Sequence, residues 1–283
     1  MSGAGSIGAC LEEGARCLAA AGIPDARREA RLILAHALGI EPVTILGYPE
    51  RAVADARRFD SLIARRAARE PLSYLTGRRE FWSLDFEVTP ATLDPRADSE
   101  TLVEAALAAI QDREAPLSIA DFGTGTGCLL LALLSELPNA KGLGIDIAED
   151  TLAVARRNAA RLGLAERALF AIGDWCGSLV GPFDLIVSNP PYIPAGEIAG
   201  LQPEVAEFEP RRALDGGADG LDAYRRLGPD FCRLLRPGGR AVLEFGLGQG
   251  AAVAGLMSAE GLIPQGFSSD IAGRERCLTL ATR

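Results

Sequence analysis

The chain contains a single histidine, His36, set in a helical apolar stretch. One imidazole argues against His-ligated metal sites and His-based catalytic triads, so no metal is expected. The six cysteines, at positions 10, 17, 128, 176, 232 and 277, form no CxxC pair. That pattern predicts reduced, mostly buried thiols in a cytoplasmic protein rather than a disulfide framework. Long apolar runs are missing too. The longest charge-free stretch, Phe245 to Ala259, has 15 residues including four glycines, against the roughly 18–20 that a membrane span needs. The N-terminus has no basic leader region, and Glu12, Glu13 and Arg16 interrupt its apolar residues. It therefore does not read as a signal peptide.

Positive charge is also scarce. The net charge is −9 over 283 residues, and it is unevenly placed. Residues 1–70 carry ten Arg against nine Asp/Glu, a balance of +1, whereas the remaining 213 carry 19 basic and 29 acidic side chains, a balance of −10. A body this acidic is poorly suited to gripping a phosphate backbone, so no direct nucleic-acid binding is expected.

Against these absences stands a clear order of patterns. In residues 1–70, Ile7, Leu11, Ala15 and Leu18 recur at helix spacing, as do Ala30, Leu34, Ala37 and Leu38 before Gly39, a helix terminator. Ala56, Phe59 and Ile63 mark a third amphipathic segment with arginines on its other face. These predict a small all-helical domain, which either caps the larger one or docks a substrate. Pro71 ends it. Within 71–97, Phe81 to Val88 approaches apolar alternation and reads as a strand or hairpin in a linker. From Asp98 to the C-terminus, predicted strands at 117–122, 142–146, 168–172, 183–188, 240–245, 262–267 and 276–281 alternate with helical patterns at 99–112, 127–137, 149–162, 220–235 and 249–260. The alternation implies an α/β domain, 98–283, with a largely parallel sheet whose ligands bind beyond the strands' carboxyl ends.

The first of those strands runs into Gly123-Thr124-Gly125-Thr126-Gly127-Cys128, followed by an apolar helix. Glycines let the backbone turn sharply and approach a ligand closely. A dinucleotide fingerprint wants a third glycine at position 128, where this chain has Cys. The G-x-G-x-G spacing instead suits a nucleoside cofactor without a pyrophosphate. The second strand ends at Asp146, 25 residues after Asp121. A carboxylate there can accept both ribose hydroxyls, although Asp is equally at home as a helix N-cap. The third strand leads to Asp174-Trp175, where Asp174 could bond an adenine amine and Trp175 pack on the ring, unless Trp175 is simply core. Three successive strand ends with nucleoside contacts point to S-adenosylmethionine.

The fourth strand, Asp184 to Ser188, delivers Asn189-Pro190-Pro191-Tyr192 beside that site. Two prolines fix their own φ and push the preceding residues into extended conformations, making a stiff lip. Alone this is a proline-rich turn. Next to a methyl donor it resembles class I, Rossmann-like S-adenosylmethionine-dependent methyltransferases that act on planar nitrogens. The resemblance implies that the Asn189 side-chain oxygen and the Pro190 carbonyl accept the two N–H groups of a planar amine while Tyr192 packs on it, with Pro191 shaping the substrate side. Such a site works by alignment and charge stabilisation and needs no histidine.

Further segments narrow the resemblance. Arg69-Glu70-Pro71-Leu72, Tyr74-Leu75-Thr76-Gly77, Arg79-Glu80-Phe81-Trp82, Glu209-Pro210-Arg211, Ala213 to Gly217, Asp219-Gly220-Leu221 and Asp270 to Arg274 join the glycine loop and Asn189 to Pro194. Over nearly its whole length the chain resembles the HemK/PrmC family of protein-glutamine N5-methyltransferases. That implies methyl transfer from S-adenosylmethionine, leaving S-adenosylhomocysteine, to the glutamine of the Gly-Gly-Gln tripeptide in peptide-chain release factors, docked by the 1–70 domain. A ribosomal-protein glutamine, an adenine N6 in nucleic acid and non-catalytic binding of the cofactor are the alternatives. The sequence departs from the family pattern at Asp94 and Ala97, in a substrate-facing loop, and at Phe245-Gly246-Leu247-Gly248, which reads as a packing change.

Overall fold

The computed structural model describes residues 5–175, 177 and 179–282. It divides into two compact units: Met1–Gly77 with Gln202–Phe208, and the remainder.

The first unit is built on helices Ile7–Ala20, Ala26–Leu38, Pro42–Gly47, Arg57–Ala67 and Leu72–Thr76. Ser6 caps the first by accepting the Ala9 amide. Gly39, with φ of 65°, closes the second in the left-handed conformation that residues with a Cβ resist. Ile7, Leu18, Ile33, Leu34 and Phe59 form its core. It is not wholly helical: Gly5–Ser6 pairs antiparallel with Ala52–Val53. The chain also returns to this unit late, through the short helix Pro203–Phe208. There Glu204 meets the buried Arg66 at 3.0 Å and Arg69 at 2.8 Å, and Glu29 holds the other side of Arg66. A buried guanidinium needs such partners, because an unpaired charge away from water is strongly unfavourable.

The second unit opens with a hairpin, Arg78–Phe81 and Leu84–Glu87. Its two-residue turn puts Trp82 and Ser83 at φ of 53° and 56°, the backbone that matches the twist of paired strands. Phe81 and Phe86 point into the main core. The sheet follows, from β1 (Ser118–Phe122), β2 (Lys141–Asp146), β3 (Ala168–Ile172), β4 (Phe183–Ser188), β5 (Leu235–Glu244), β6 (Ile263–Ser269) and β7 (Glu275–Ala281). Their order is β6-β7-β5-β4-β1-β2-β3. The five strands from β5 to β3 are parallel, and β7 runs antiparallel to both its neighbours.

Strand periodicity sorts the apolar residues between two faces. Ile119, Leu185, Val187 and Val242 join the core containing Leu102 and Leu130 to Leu134. Ala120, Phe122, Ile186, Ala241 and Leu243 join the one containing Phe231, Val253 and Met257. Helices Glu100–Ala108 and Cys128–Glu136 therefore cover one face, and Asp222–Leu234 and Gly250–Ala259 the other.

The class I methyltransferase architecture read from the sequence is present, and two predicted strands, 168–172 and 183–188, coincide with β3 and β4. β5 starts five residues before the predicted 240, because its Arg236-Pro237-Gly238-Gly239 segment reads as a turn yet continues the strand through a register shift opposite Phe183–Leu185. The cysteines are less buried than expected. Cys17 and Cys232 are exposed, only Cys277 among the described ones is fully buried, and Cys176 lies outside the described residues.

β2 is pressed between layers. A Cβ on Gly144 would lie 2.7 Å from the Phe170 ring and 2.8 Å from the Thr124 hydroxyl. Overpacking of this kind costs about 1–3 kcal/mol. Gly144→Ala is expected to lower the urea midpoint accordingly; an unchanged midpoint would show that β2 has room the structure denies it.

Candidate active site

The strand order reverses at β1. The chain winds from β1 through β2 to β3 on one side, then returns to place β4 on the other. The loops after β1 and β4 thus diverge from neighbouring strand ends and leave a crevice between them.

The glycine loop alternates left-handed glycines, with φ of 73° at Gly123, 57° at Gly125 and 81° at Gly127. The Gly123 and Thr124 amides both donate to the Ile145 carbonyl at 2.9 Å, which ties the loop to β2. Thr124 donates to the buried Asp121 carboxylate at 2.7 Å, and Asn158 donates to the Thr126 carbonyl at 3.0 Å. Gly127 is packed under Leu131, Ala155 and Phe170. Thr124, Thr126 and Gly127 thereby brace the loop from below. Gly125 is different: a Cβ there would meet nothing closer than the Gly123 carbonyl at 4.0 Å, and one on Gly123 would reach only toward Trp175 at 3.7 Å. The loop presents bare backbone to open space, the cradle a nucleoside cofactor requires.

That space is a cavity of about 290 Å³ whose lining includes Gly123, Gly125, Asp146, Asp174, Trp175, Asn189, Pro191, Arg212 and Arg226. Asp146 accepts the Gly125 amide at 3.1 Å through one oxygen and the Ala148 amide at 3.2 Å through the other. The helix Glu149–Arg161 is capped at Ala148, so Asp146 is not its N-cap residue. Burial raises the Asp146 carboxyl, while those backbone amides and Arg212 oppose the rise. Asp174 is half exposed and pairs with Arg226 at 2.6 Å. Trp175 takes a left-handed φ of 59° that brings its ring toward Gly123.

Asn189 follows the last residue of β4. Its side-chain amide donates from Nδ2 to the Ser99 hydroxyl at 3.1 Å, which leaves the amide oxygen as the polar atom it can offer the cavity. Pro190 is buried and Pro191 lines the cavity. Tyr192 packs beside the second core and donates to the Glu244 carboxylate at 3.4 Å, so its ring belongs to the wall behind the lip. The lip is stapled from outside. Gln249 donates to the Tyr192 carbonyl at 2.9 Å, Ile193 donates to the Leu214 carbonyl at 3.0 Å, and Gly216 donates back to the Ile193 carbonyl at 2.9 Å. A Cβ on Gly216 would lie 2.9 Å from the Pro191 carbonyl, so only glycine fits there.

Sequence reading missed Ser99, Asn158, Arg212, Arg226, Glu244 and Gln249. Only Glu244 carries a signal of its own, a carboxylate ending the apolar strand run Ala241-Val242-Leu243. The others act through side chains brought together from distant positions.

Residues 9–77 match the PrmC N-terminal domain, and residues 114–247 match a methyltransferase domain. A release factor glutamine methyltransferase of Rhodospirillum rubrum is 52% identical over 279 residues, spanning 98% of this chain and 85% of that protein. One from Cereibacter sphaeroides is 47% identical, spanning 93% of each. The chain belongs to the release factor glutamine methyltransferase family. It is an enzyme, with a class I methyltransferase fold. The fold is shared more widely: the catalytic domain of hMettl16, solved with an MAT2A 3′UTR hairpin, superposes with a TM-score of 0.59 at 15% identity, over 83% of this chain and 85% of that one.

The buried Asp121 generates a stability prediction. Desolvation pushes its carboxyl up to about 7 against the help of the Thr124 hydroxyl. The folded state therefore keeps a proton that the unfolded chain gives up from about pH 4, so this site's contribution to stability falls as pH rises toward about 7 and then levels off. Asp121→Asn removes the effect. The melting temperature of the variant relative to wild type should rise by several degrees from about pH 5 to about pH 8; a difference constant across that range would contradict the assignment.

Proposed function

We propose that this enzyme methylates the side-chain N5 of the glutamine in the Gly-Gly-Gln tripeptide of peptide-chain release factors, using S-adenosylmethionine, in the cytoplasm. The observation that carries the reading is the Asn189 amide, held at the cavity wall with its NH2 turned to Ser99 and its oxygen available.

S-Adenosylmethionine supplies a methyl group on a positively charged sulfur. Gly123 and Gly125 give it backbone without steric obstruction, Asp146 takes the ribose hydroxyls, and Asp174 and Trp175 serve the adenine. Thr124, Thr126 and Gly127 hold the loop in shape. On the other side of the cavity, the Asn189 oxygen and the Pro190 carbonyl accept the two N–H bonds of the substrate amide. An amide nitrogen is a weak nucleophile because its lone pair is delocalised. Two acceptors placed in its plane orient it and favour the positive charge that develops on it. Tyr192 backs the lip from behind, and Pro191 narrows the approach. The acidic methyltransferase unit favours a protein glutamine over a base amine in nucleic acid.

The helical unit, assigned here to residues 1–70 with 71–97 leading into the methyltransferase domain, docks the release factor. Val43, Leu46 and Tyr48 support that role. They are 71%, 56% and 59% exposed around one short helix, large apolar side chains available to a protein partner.

Labelled S-adenosylmethionine, offered with a release factor, a ribosomal protein or an oligonucleotide, distinguishes the substrates. Label should appear on the release factor and vanish when its Gly-Gly-Gln glutamine is changed to alanine; label on the oligonucleotide alone would overturn the reading. Asn189→Ala should lower turnover by about 100-fold, as loss of a preorganised electrostatic contact does, with cofactor affinity largely kept. Asp146→Ala should weaken cofactor binding by at least about tenfold, the scale of a hydrogen bond to a charged group. Wild-type affinity in that variant would remove Asp146 from the ribose site.

A further inference from the structure

Asparagine presents two nearly isosteric faces, an acceptor oxygen and a donor NH2, which exchange by a half-turn of the side-chain amide. A substrate amide bringing its own NH2 to the cavity can bond only the oxygen. With the opposite orientation two donors meet. Something in the protein must therefore fix which face is presented.

Among the described residues, the partner of the Asn189 NH2 is the Ser99 hydroxyl, at 3.1 Å. A hydroxyl can accept or donate, and which it does toward Asn189 depends on where its own proton goes. Glu244 supplies the destination. Its carboxylate is buried: one oxygen accepts from the Tyr192 hydroxyl at 3.4 Å, the other has no hydrogen-bond partner among the described residues, and the nearby Ser99 hydroxyl favours its charged form. The three groups come from separate elements: Ser99 from the turn before helix Glu100–Ala108, Asn189 from the end of β4, and Glu244 from the end of the adjacent β5. A carboxylate at the end of an apolar strand is unfavourable for packing alone. We propose that Ser99 and Glu244 are positioning residues, a relay that holds the Asn189 amide with its oxygen toward the substrate. The proposal rests on the reading that this oxygen accepts a substrate N–H.

The surroundings make the relay sensitive to protonation. Around Glu244 stand Arg276 and Tyr192, which favour its charge, Asp98, which opposes it, and the neutral Tyr224, Cys277 and Cys128. Burial outweighs the favourable contacts and raises its carboxyl to about 7. Once protonated, Glu244 can donate to Ser99, whose own proton then turns toward Asn189 and favours the wrong amide face.

Four single variants, two double variants and a pH series test this. Ser99→Ala should lower kcat by about tenfold, the scale of one hydrogen bond, and Ser99→Thr, which keeps the hydroxyl, should recover to within about threefold of wild type. Glu244→Gln, whose NH2 would reverse the Ser99 hydroxyl, should lower kcat by about 10–100-fold without raising the KM for S-adenosylmethionine or lowering the melting temperature. In an Asn189→Ala background, followed by single turnover with labelled cofactor, Ser99→Ala and Glu244→Gln should each change the residual rate by less than about twofold, since no amide remains to orient. Wild-type kcat should rise through about pH 7, and the rise should be absent in Glu244→Gln. If Ser99→Ala and Glu244→Gln turn over like wild type while Asn189→Ala is crippled, the relay is wrong and the Asn189 reading stands. If their losses persist undiminished in the Asn189→Ala background, they act elsewhere and the relay is wrong. A fully active Asn189→Ala would instead sink the reading of Asn189 itself.

Discussion

Parallel strands cannot be joined by a tight turn, and everything at this site follows from that constraint. Each strand from β1 to β5 must be followed by a crossover that carries the chain back along a face of the sheet. Every connection leaving a carboxyl end therefore starts from the same edge. Where the winding reverses, between β1 and β4, two such connections part and nothing fills the gap. The glycine loop leaves one side of that gap and the Asn-Pro-Pro-Tyr lip leaves the other. Hydrogen bonds from Gly123 and Thr124 to β2, and the tight seat of Gly144 beneath Thr124 and Phe170, fix the first wall relative to the sheet. The lip is fixed by proline stiffness and by the Leu214–Gly216 segment that pairs with Ile193.

Both walls rest on buried carboxylates. Asp121 lies under the glycine loop and Glu244 behind the lip, each fully buried and each raised to about 7 by desolvation. Apolar residues would pack in these places at lower cost. What the carboxylates add is direction. Asp121 accepts from Thr124, which braces the glycine loop, and Glu244 accepts from Tyr192 of the lip. Charge at the base of the site thus becomes geometry at its surface.

The same physics sets what could be read from the chain. Local patterns were legible: strand periodicity, left-handed glycines at fixed spacing, and the Pro-Pro lip all follow from short-range sterics. That Asp146 and Trp175 would line one cavity was legible because strand order puts successive strand ends side by side. Ser99, Arg212 and Arg226 were not, since an arginine on a helix looks the same whether it faces solvent or an aspartate 52 residues away. The return of Gln202–Phe208 to the helical unit was hidden for a related reason. Its anchor is Glu204, whose partners Arg66 and Arg69 lie more than 130 residues earlier. Of the segments quoted as family signatures, Ala213 to Gly217 proved to staple the lip.

The departures from the family pattern show how local this organisation is. Asp94 puts a carboxylate into a buried stretch, 7% exposed. Arg79 lies 3.7 Å from it and Arg96 4.0 Å, and Arg96 also pairs with the buried Glu209, whose neighbour Pro210 lines the cavity. The added negative charge is thus met by two guanidinium groups already committed to the same corner. Ala97 is exposed and opens the single turn Ala97–Ser99, which leaves Ser99 within reach of Asn189. Phe245 is fully buried and packs edge-on against Phe267 at 5.8 Å, while Leu247 is exposed beyond it. Of these departures, Asp94 and Phe245 are buried, whereas Ala97 and Leu247 are exposed. None lies in the glycine loop or the Asn-Pro-Pro-Tyr lip, the two segments that present backbone and the Asn189 amide to the cavity.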